Sequence, residues 1–220
     1  MEKYFYIIER AYNFSVITLI IPLITAIFRW KFFNLSLKLA AIQALRIFIF
    51  GLLSLYYANI GDSHRYLYYL SPCLDIILVS SLVVSIFNFR KEINWGWALL
   101  CVIYIALVNN DFFTTKNPIN SYLTSAETVF VIFASILMLR KVVLTYKSST
   151  YKRSLIWIIS ALLISNLFAI LLQMLMEKFS AYSTDLMQLY WYLSSPLFMV
   201  ITNLMVAYGF YIIRNKVRES

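Results

Sequence analysis

The uninterrupted apolar run IWIISALLISNLFAILL, residues 156–172, decides the fold class. It carries no charged residue, and at about 1.5 Å of rise per residue a helix of this length covers most of a bilayer's apolar core. Only helices and closed barrels satisfy their backbone polar groups in lipid. Barrel strands are shorter and alternate apolar with polar residues. This run is longer than a barrel strand and does not alternate, so it predicts a membrane-spanning helix.

The composition of the whole chain extends that prediction. Of the 220 residues, 62% are hydrophobic and only 13% are charged, and the mean hydropathy is +0.77. One soluble core could not bury so much apolar surface, so lipid must solvate much of it. The sequence therefore predicts an all-α, polytopic membrane protein.

Seven apolar segments predict a bundle of seven transmembrane helices that forms a single domain over residues 1–220. The fourth segment is the shortest, and polar residues at 109–111 close it. The linkers between segments are short, so no separate soluble domain is expected. The predicted spans are residues 12–28, 39–58, 67–87, 95–108, 122–139, 155–175 and 189–213.

The distribution of basic residues predicts the direction of these spans. Thirteen of the 19 Lys and Arg residues fall after spans one, three and five or in the C-terminal tail, and five fall on the other side. Basic residues concentrate on the cytoplasmic side of membrane proteins. The N-terminus is therefore expected outside and the C-terminus inside, in a multi-pass protein of a cell membrane, such as a bacterial inner membrane.

Three ionisable residues, Arg46, Asp75 and Glu127, lie inside apolar segments. A charge at the centre of a span costs roughly 2.5–3.5 kcal/mol on insertion scales, so such residues usually face the bundle interior and serve a function. Asp75 and Glu127 are expected in the outer half, with Arg46 reaching them from below. One reading is that Arg46 pairs with either acid and merely locks the bundle. The other is a pocket for a small ligand or a proton, because an unmatched carboxyl is a candidate proton or cation site.

Other polar and aromatic side chains extend the predicted pocket. Gln43 is three residues from Arg46 and so shares its side of the second span. Polar groups in the sixth and seventh spans are expected to face the interior for the same reason as the charges. The further pocket residues are Gln43, Tyr57, Tyr69, Asn166, Gln173 and Asn203.

Several classes of protein are not favoured. Cys73 and Cys101 are expected to be unpaired core residues, and the lone His64 cannot supply the three or four ligands of a zinc site. No metal and no cofactor are predicted. Nucleophile and phosphate-loop motifs are missing, so an enzyme is not favoured. The net charge of +9 is a property of the inner face, and without a basic reader domain no nucleic-acid partner is expected.

The motif Asn120-Ser121-Tyr122, followed by Thr124 and Glu127 at the start of an apolar helix, resembles small uncharacterised seven-span proteins of Bacteroidota. In those proteins the third span often has a His and, six residues later, a Glu; Tyr69 and Asp75 stand at the corresponding positions here. The resemblance implies that Asp75 and Glu127 are family features. Such proteins are often encoded near sensor kinases or regulators, which implies signalling.

Together these features lead us to expect a sensor or receptor-like membrane protein with an outward-facing polar pocket for a small ligand or a proton. The basic stretch 140–153, predicted as an inner loop, is the candidate surface for a cytoplasmic or membrane signalling partner. The lipid bilayer is the other partner. The alternatives are a non-catalytic accessory subunit of a membrane complex, a small transporter, or a lipid-modifying enzyme.

Overall fold

The computed structural model describes residues 2–60, 65–89, 121–146, 149–179 and 185–213, which form helices and turns without a strand. The fourth predicted span, 95–108, lies outside these residues. One 3₁₀ turn, Trp30–Phe32, joins the second helix to the third. The helices are α1 Glu2–Thr18, α2 Ile20–Arg29, α3 Leu35–Ile60, α4 Arg65–Phe87, α5 Ser121–Thr145, α6 Thr150–Phe179 and α7 Asp185–Tyr211.

Six helical segments in the described part of the chain are long and apolar enough to cross a membrane. The first is made by the end of α1, α2 and the 3₁₀ turn together, and α3 to α7 supply one each. The described residues are thus all-helical, with six segments suited to a multi-pass membrane protein, in agreement with the prediction. The six segments are Glu9–Phe32, Leu35–Tyr57, Leu70–Phe87, Ala126–Thr145, Thr150–Leu172 and Leu193–Tyr211.

The first span differs from the predicted continuous helix over 12–28. Helix begins at Glu2 and is interrupted at Leu19, whose backbone N–H donates to Val16 O at 3.1 Å. Pro22 explains the interruption, because it has no N–H for the carbonyl of Thr18 and its ring crowds that carbonyl. A tighter turn therefore separates α1 from α2 in the middle of the span.

The helices pack in a closed circuit. Helix α2 packs on α3, and each of α3 to α6 packs on the helix that is described next along the chain. Helix α7 returns to pack on both α1 and α2. The circuit gives the bundle an interior in which the polar residues of α3, α4 and α5 meet.

Neighbouring helices in this circuit do not all alternate in direction. Helices α3 and α4 are antiparallel, since Ser36 near the start of α3 bonds Ser85 near the end of α4 at 2.8 Å. Helices α4 and α5 are parallel. Their earlier parts meet where Glu127 contacts Asp75, and their later parts meet where Lys141 Nζ lies 5.7 Å from the centre of the Phe87 ring.

Helix α7 is parallel to the first span. Ser15 of α1 contacts Met199, and Arg29 at the end of α2 lies over the ring of Tyr211 at the end of α7, 5.6 Å from its centre. The second contact lies further along the chain than the first in both segments. The first and last spans therefore point the same way, as do α4 and α5.

A basic end of the bundle forms where the turn between α2 and α3, the end of α4, the turn between α5 and α6 and the end of α7 come together. Asn34 Nδ2 donates to Tyr151 Oη at 2.7 Å, and the rings of Phe33 and Phe210 are 5.1 Å apart. Most of the fully buried apolar side chains lie towards this end. They include Leu37, Met138, Val142, Leu155, Ile159, Phe210 and Ile213.

The basic stretch 140–153 is mostly helical rather than a loop. Helix α5 continues to Thr145 and α6 begins at Thr150. Lys152 Nζ donates to Val143 O at 2.7 Å and to Tyr146 O at 3.0 Å. A cation at the last carbonyls of a helix satisfies them and complements the helix dipole. Lys152 therefore caps the C-terminal end of α5.

Candidate functional site

Arg46 and Asp75 form an ion pair inside the bundle. Arg46 Nη2 lies 3.0 Å from Asp75 Oδ1, and the side chains are only 10% and 12% exposed. Both residues lie within apolar helices that could span a membrane. The pair therefore sits where an isolated charge would be costly, and each group offsets the charge of the other.

Further hydrogen bonds hold the guanidinium of Arg46 in place. Its Nη1 donates to Ser71 Oγ at 2.8 Å and to Ser71 O at 3.2 Å. Its Nε donates to Gln43 Oε1 at 3.3 Å, and Gln43 Nε2 in turn donates to Asp75 Oδ1. Arg46 thus binds α4 at two points one helical turn apart, and Gln43 closes the network between them.

The carboxyl group of Glu127 completes the site from α5. Glu127 is buried, and its side chain makes a hydrogen-bond contact with the Asp75 carboxyl while also lying within the field of Arg46. An ionised carboxylate only accepts hydrogen bonds. Two carboxyl groups can share a hydrogen bond only when one of them carries a proton, so a hydrogen bond at this contact requires one proton on the acid pair.

Local helix geometry accounts for the polar cluster, which we define as Gln43, Arg46, Ser71, Asp75 and Glu127. Gln43 and Arg46 are three residues apart on α3, and Ser71 and Asp75 are four apart on α4, so each pair projects from one helix face. The sequence-based list of pocket residues missed Ser71. Its position one turn before Asp75 is the signal that could have identified it.

A small cavity of about 40 Å³ lies beside the cluster in the middle of the bundle. Gln43 borders it on one side and Asn203 on another, while the rest of its lining is almost entirely apolar. One water needs about 10–15 Å³ measured in this way, so the cavity has room for a few water molecules. The other lining residues are Leu19, Pro22, Leu39, Ala40, Ala44, Ile47, Leu78, Val79, Leu82, Ile158, Leu162 and Val206.

Asn203 belongs to a separate polar group at the break in the first span. Its Nδ2 donates to Thr18 Oγ1 at 2.8 Å and to Ser15 O at 3.3 Å. The backbone N–H of Leu19, which would bond Ser15 O in a continuous helix, bonds Val16 O instead. Asn203 and the hydroxyl of Thr18, at 2.6 Å, therefore satisfy a carbonyl that the break has left without its helical partner.

Of the remaining predicted pocket residues, two are described away from the cluster and two have side chains outside the described part of the structure. Asn166 Nδ2 donates to Leu162 O of its own helix at 2.9 Å. Tyr57 lies about three turns beyond Arg46 on α3, with its ring edge-on to that of Tyr56. Tyr69 lies in α4 and Gln173 in α6, but the positions of their side chains are outside the described part of the structure.

The described side chains contain no group of three His, Cys, Asp or Glu residues placed to hold a metal ion. The chemistry available in the cluster is therefore that of one guanidinium, two carboxyl groups, an amide and a hydroxyl. Such a set can exchange a proton and rearrange its hydrogen bonds.

No protein-family model, curated protein or solved structure matches the chain.

Proposed function

We propose that this protein is a seven-span, sensor-like membrane protein in which the polar cluster takes up and releases one proton. The observation that carries the proposal is the contact of the Glu127 carboxyl with an Asp75 carboxyl that is already paired with Arg46. One guanidinium offsets one carboxylate. The second acid is not needed to neutralise Arg46, but it is what a proton-binding site requires.

A proton suits the dimensions of the site better than a small organic ligand does. The cavity beside Gln43 holds about 40 Å³, whereas pockets for small molecules typically measure several hundred cubic ångströms. Asp75 and Glu127 are buried. Asp75 Oδ1 already accepts a hydrogen bond from Gln43 and pairs with Arg46. A proton can enter such a site by transfer through a few waters.

The loss of a proton would change the net charge of the cluster, and this change is the proposed trigger of a structural response. With one proton on the acid pair, Arg46, Asp75 and Glu127 together carry no net charge. Loss of that proton leaves two carboxylates and one guanidinium at membrane depth, and the two like charges repel each other strongly where the dielectric constant is low. Because Asp75 belongs to α4 and Glu127 to α5, the repulsion acts between two parallel helices that both run to the basic end.

The helix directions support seven spans. Helices α4 and α5 point the same way, which favours an odd number of crossings between Phe89 and Ser121, and the apolar segment 95–108 is the candidate for that crossing. The parallel first and last spans likewise favour an odd total number of spans. With the basic residues inside, the N-terminus lies outside and the C-terminus inside, in a bacterial inner membrane.

The unfolding of the purified full chain in detergent at a series of pH values tests the proton site. The stability of the unaltered protein is expected to fall as the pH rises through the range in which the acid pair loses its proton. Glu127→Gln keeps a neutral, hydrogen-bonding group at the site, so its stability should vary much less. Glu9→Gln removes an exposed acid elsewhere and should retain the original profile. Identical profiles for Glu127→Gln and the unaltered protein would exclude the proton site.

A distance measurement separates a response from a stabilising role. Spin labels on cysteines placed at Phe89 and Leu144, both exposed near the basic end, would report the spacing of α4 and α5 after Cys73 and Cys101 are replaced by Ala. The distance is expected to change with pH in the otherwise unaltered protein and to stay fixed in Glu127→Gln. If the distance does not change with pH in either protein, the cluster only stabilises the bundle.

A further inference from the structure

Within the residues that the structure describes, the basic end carries a concentration of cations without acids. No Asp or Glu occurs in residues 26–38, 80–89, 137–146, 149–158 or 206–213. Contacts such as Asn34 with Tyr151 and Lys141 with Phe87 bring these segments together. The cations in them are Arg29, Lys31, Lys38, Arg140, Lys141, Lys152 and Arg153.

Nothing in the described part of this end neutralises these charges. The ion pair found among the described residues is Arg46 with Asp75, inside the bundle. Lys152 is engaged by carbonyls at the end of α5. Burial, with a smaller effect of Tyr151, raises the pKa of Tyr146 to about 12, so its phenol adds no negative charge near neutral pH.

Aromatic rings place several of the cations against the surface of the bundle. Lys38 Nζ lies 5.7 Å from the centre of the Trp30 ring, and Lys31 Nζ lies 5.0 Å from that of Phe32. Arg29 lies over Tyr211 in the same way. Cations and aromatic rings that alternate at the end of a span are typical of the headgroup layer of a membrane.

Highly exposed apolar side chains directly adjoin the cations. Ile27 and Phe28, which precede Arg29, are 73% and 76% exposed. Leu144, one turn after Arg140, is 73% exposed. A cation beside an apolar surface matches a molecule with an anionic head and a hydrocarbon tail. A water-soluble anion would use the charge and leave the apolar surface uncovered.

We propose that the basic end binds acidic phospholipids. The phosphate groups contact Arg29 and Lys31 at the end of the first span and Arg140 and Lys141 near the end of α5. Their acyl chains cover Ile27 and Phe28 at the first position and Leu144 at the second. Binding at either position requires no change in the protonation of the polar cluster.

Thermal unfolding of the full chain in mixed micelles containing phosphatidylglycerol or phosphatidylcholine tests this. Phosphatidylglycerol is expected to raise the Tm by several degrees more than phosphatidylcholine. Each basic residue near a membrane contributes roughly fivefold in affinity for acidic lipid. The double variants Arg29→Gln/Lys31→Gln and Arg140→Gln/Lys141→Gln should therefore each weaken binding at the altered position about 25-fold. Each should lose part of the Tm shift and keep the part that comes from the other position.

Arg10→Gln is the matched control, because it removes one cation from α1, away from the basic end. It should keep the full response to phosphatidylglycerol, as should Glu127→Gln. Equal shifts with the two lipids, or unchanged shifts in both double variants, would overturn the proposal. An equal shift with inorganic phosphate at the same concentration would also overturn it in favour of a site for free anions.

Discussion

Arg46 joins α3 to α4 through Asp75, with its Nη2 3.0 Å from Asp75 Oδ1, and Glu127 brings α5 to the same carboxyl group. Three helices that are apolar along most of their length thus meet at one polar point. Since lipid solvates apolar side chains as well as the interior does, apolar contacts alone specify the packing of such helices weakly. The cluster supplies a specific register for α3, α4 and α5.

The two acids should partly replace each other. In Asp75→Asn, Glu127 remains close enough to offset the charge of Arg46, so we expect a modest loss of stability. In Asp75→Asn/Glu127→Gln, the buried guanidinium of Arg46 has lost both acid partners, and the free energy of unfolding should fall by about 3–5 kcal/mol. Denaturant-induced unfolding in mixed micelles measures both changes.

The control for that experiment removes the unpaired cation. Adding Arg46→Met to Asp75→Asn/Glu127→Gln should recover part of the lost stability, because a buried ionic group can be replaced by apolar residues at little cost. Strict additivity of the two acid substitutions, or a triple variant less stable than the double, would show that the acids do not share Arg46.

Much of this arrangement is contained in the sequence, and part of it is not. The apolar runs predict the membrane-spanning helices, and the spacing of Gln43 and Arg46 predicts their common face. In helices that are apolar on all sides, however, the sequence does not say which face turns inward. Asn166 and Asn203 are therefore indistinguishable in the sequence, although Asn166 bonds its own helix and Asn203 bonds α1.

The break in the first span illustrates a second limit. Pro22 predicts a disturbance of the helix near its own position. The partner that satisfies Ser15 O comes from α7, 188 residues away in the chain. Only the packing of α7 against the first span identifies it.

Substitution of Asn203 should weaken the contact between α1 and α7. Asn203→Leu removes the donor to Thr18 Oγ1 and leaves Ser15 O with the bond from the Thr18 hydroxyl alone, so two buried acceptors each lose a partner, at a cost of about 1–3 kcal/mol. Asn166→Leu is the matched control, because the hydrogen bond described for the Asn166 amide goes to a carbonyl of its own helix. When the unfolding of the two variants is compared, only Asn203→Leu should show a clear loss of stability. Equal losses would contradict a role for Asn203 in holding the break.

Gly209 permits the close approach of α6 and α7. A Cβ atom at this position would lie 2.7 Å from Ile158 Cγ1 and 3.1 Å from the backbone oxygen of Ser154. Gly209→Ala should therefore destabilise the protein by about 1–3 kcal/mol, despite the better helix propensity of Ala. Thermal unfolding measures the change.

Gly51→Ala provides the comparison for Gly209. A Cβ at Gly51 would meet Val16 Cγ1 at 3.3 Å, with no backbone atom among its nearest neighbours. A shift of a few tenths of an ångström relieves this contact, and the gain in helix propensity of up to about 1 kcal/mol offsets its cost. We expect little net change in stability for Gly51→Ala. If Gly51→Ala destabilised the protein as much as Gly209→Ala does, the result would argue against a specific α6–α7 contact.

The parallel directions of α4 and α5 predict which side of the membrane each of their ends reaches. In a background with Cys73 and Cys101 replaced by Ala, single cysteines at Phe89, Ser121 and Thr150 can be labelled with a membrane-impermeant maleimide from either side. Phe89 follows the end of α4 and Thr150 follows the end of α5, so both should react from the same side. Ser121 begins α5 and should react only from the opposite side.

Labelling after permeabilisation is the control, because all three cysteines must then react if they are accessible at all. Reaction of the cysteines at positions 89 and 121 from one side would mean that the chain between them does not cross the membrane. That result would be incompatible with the contacts of Asp75 with Glu127 and of Phe87 with Lys141 in a single bundle. Reaction from opposite sides requires an odd number of crossings between α4 and α5, for which the segment 95–108 supplies the apolar residues.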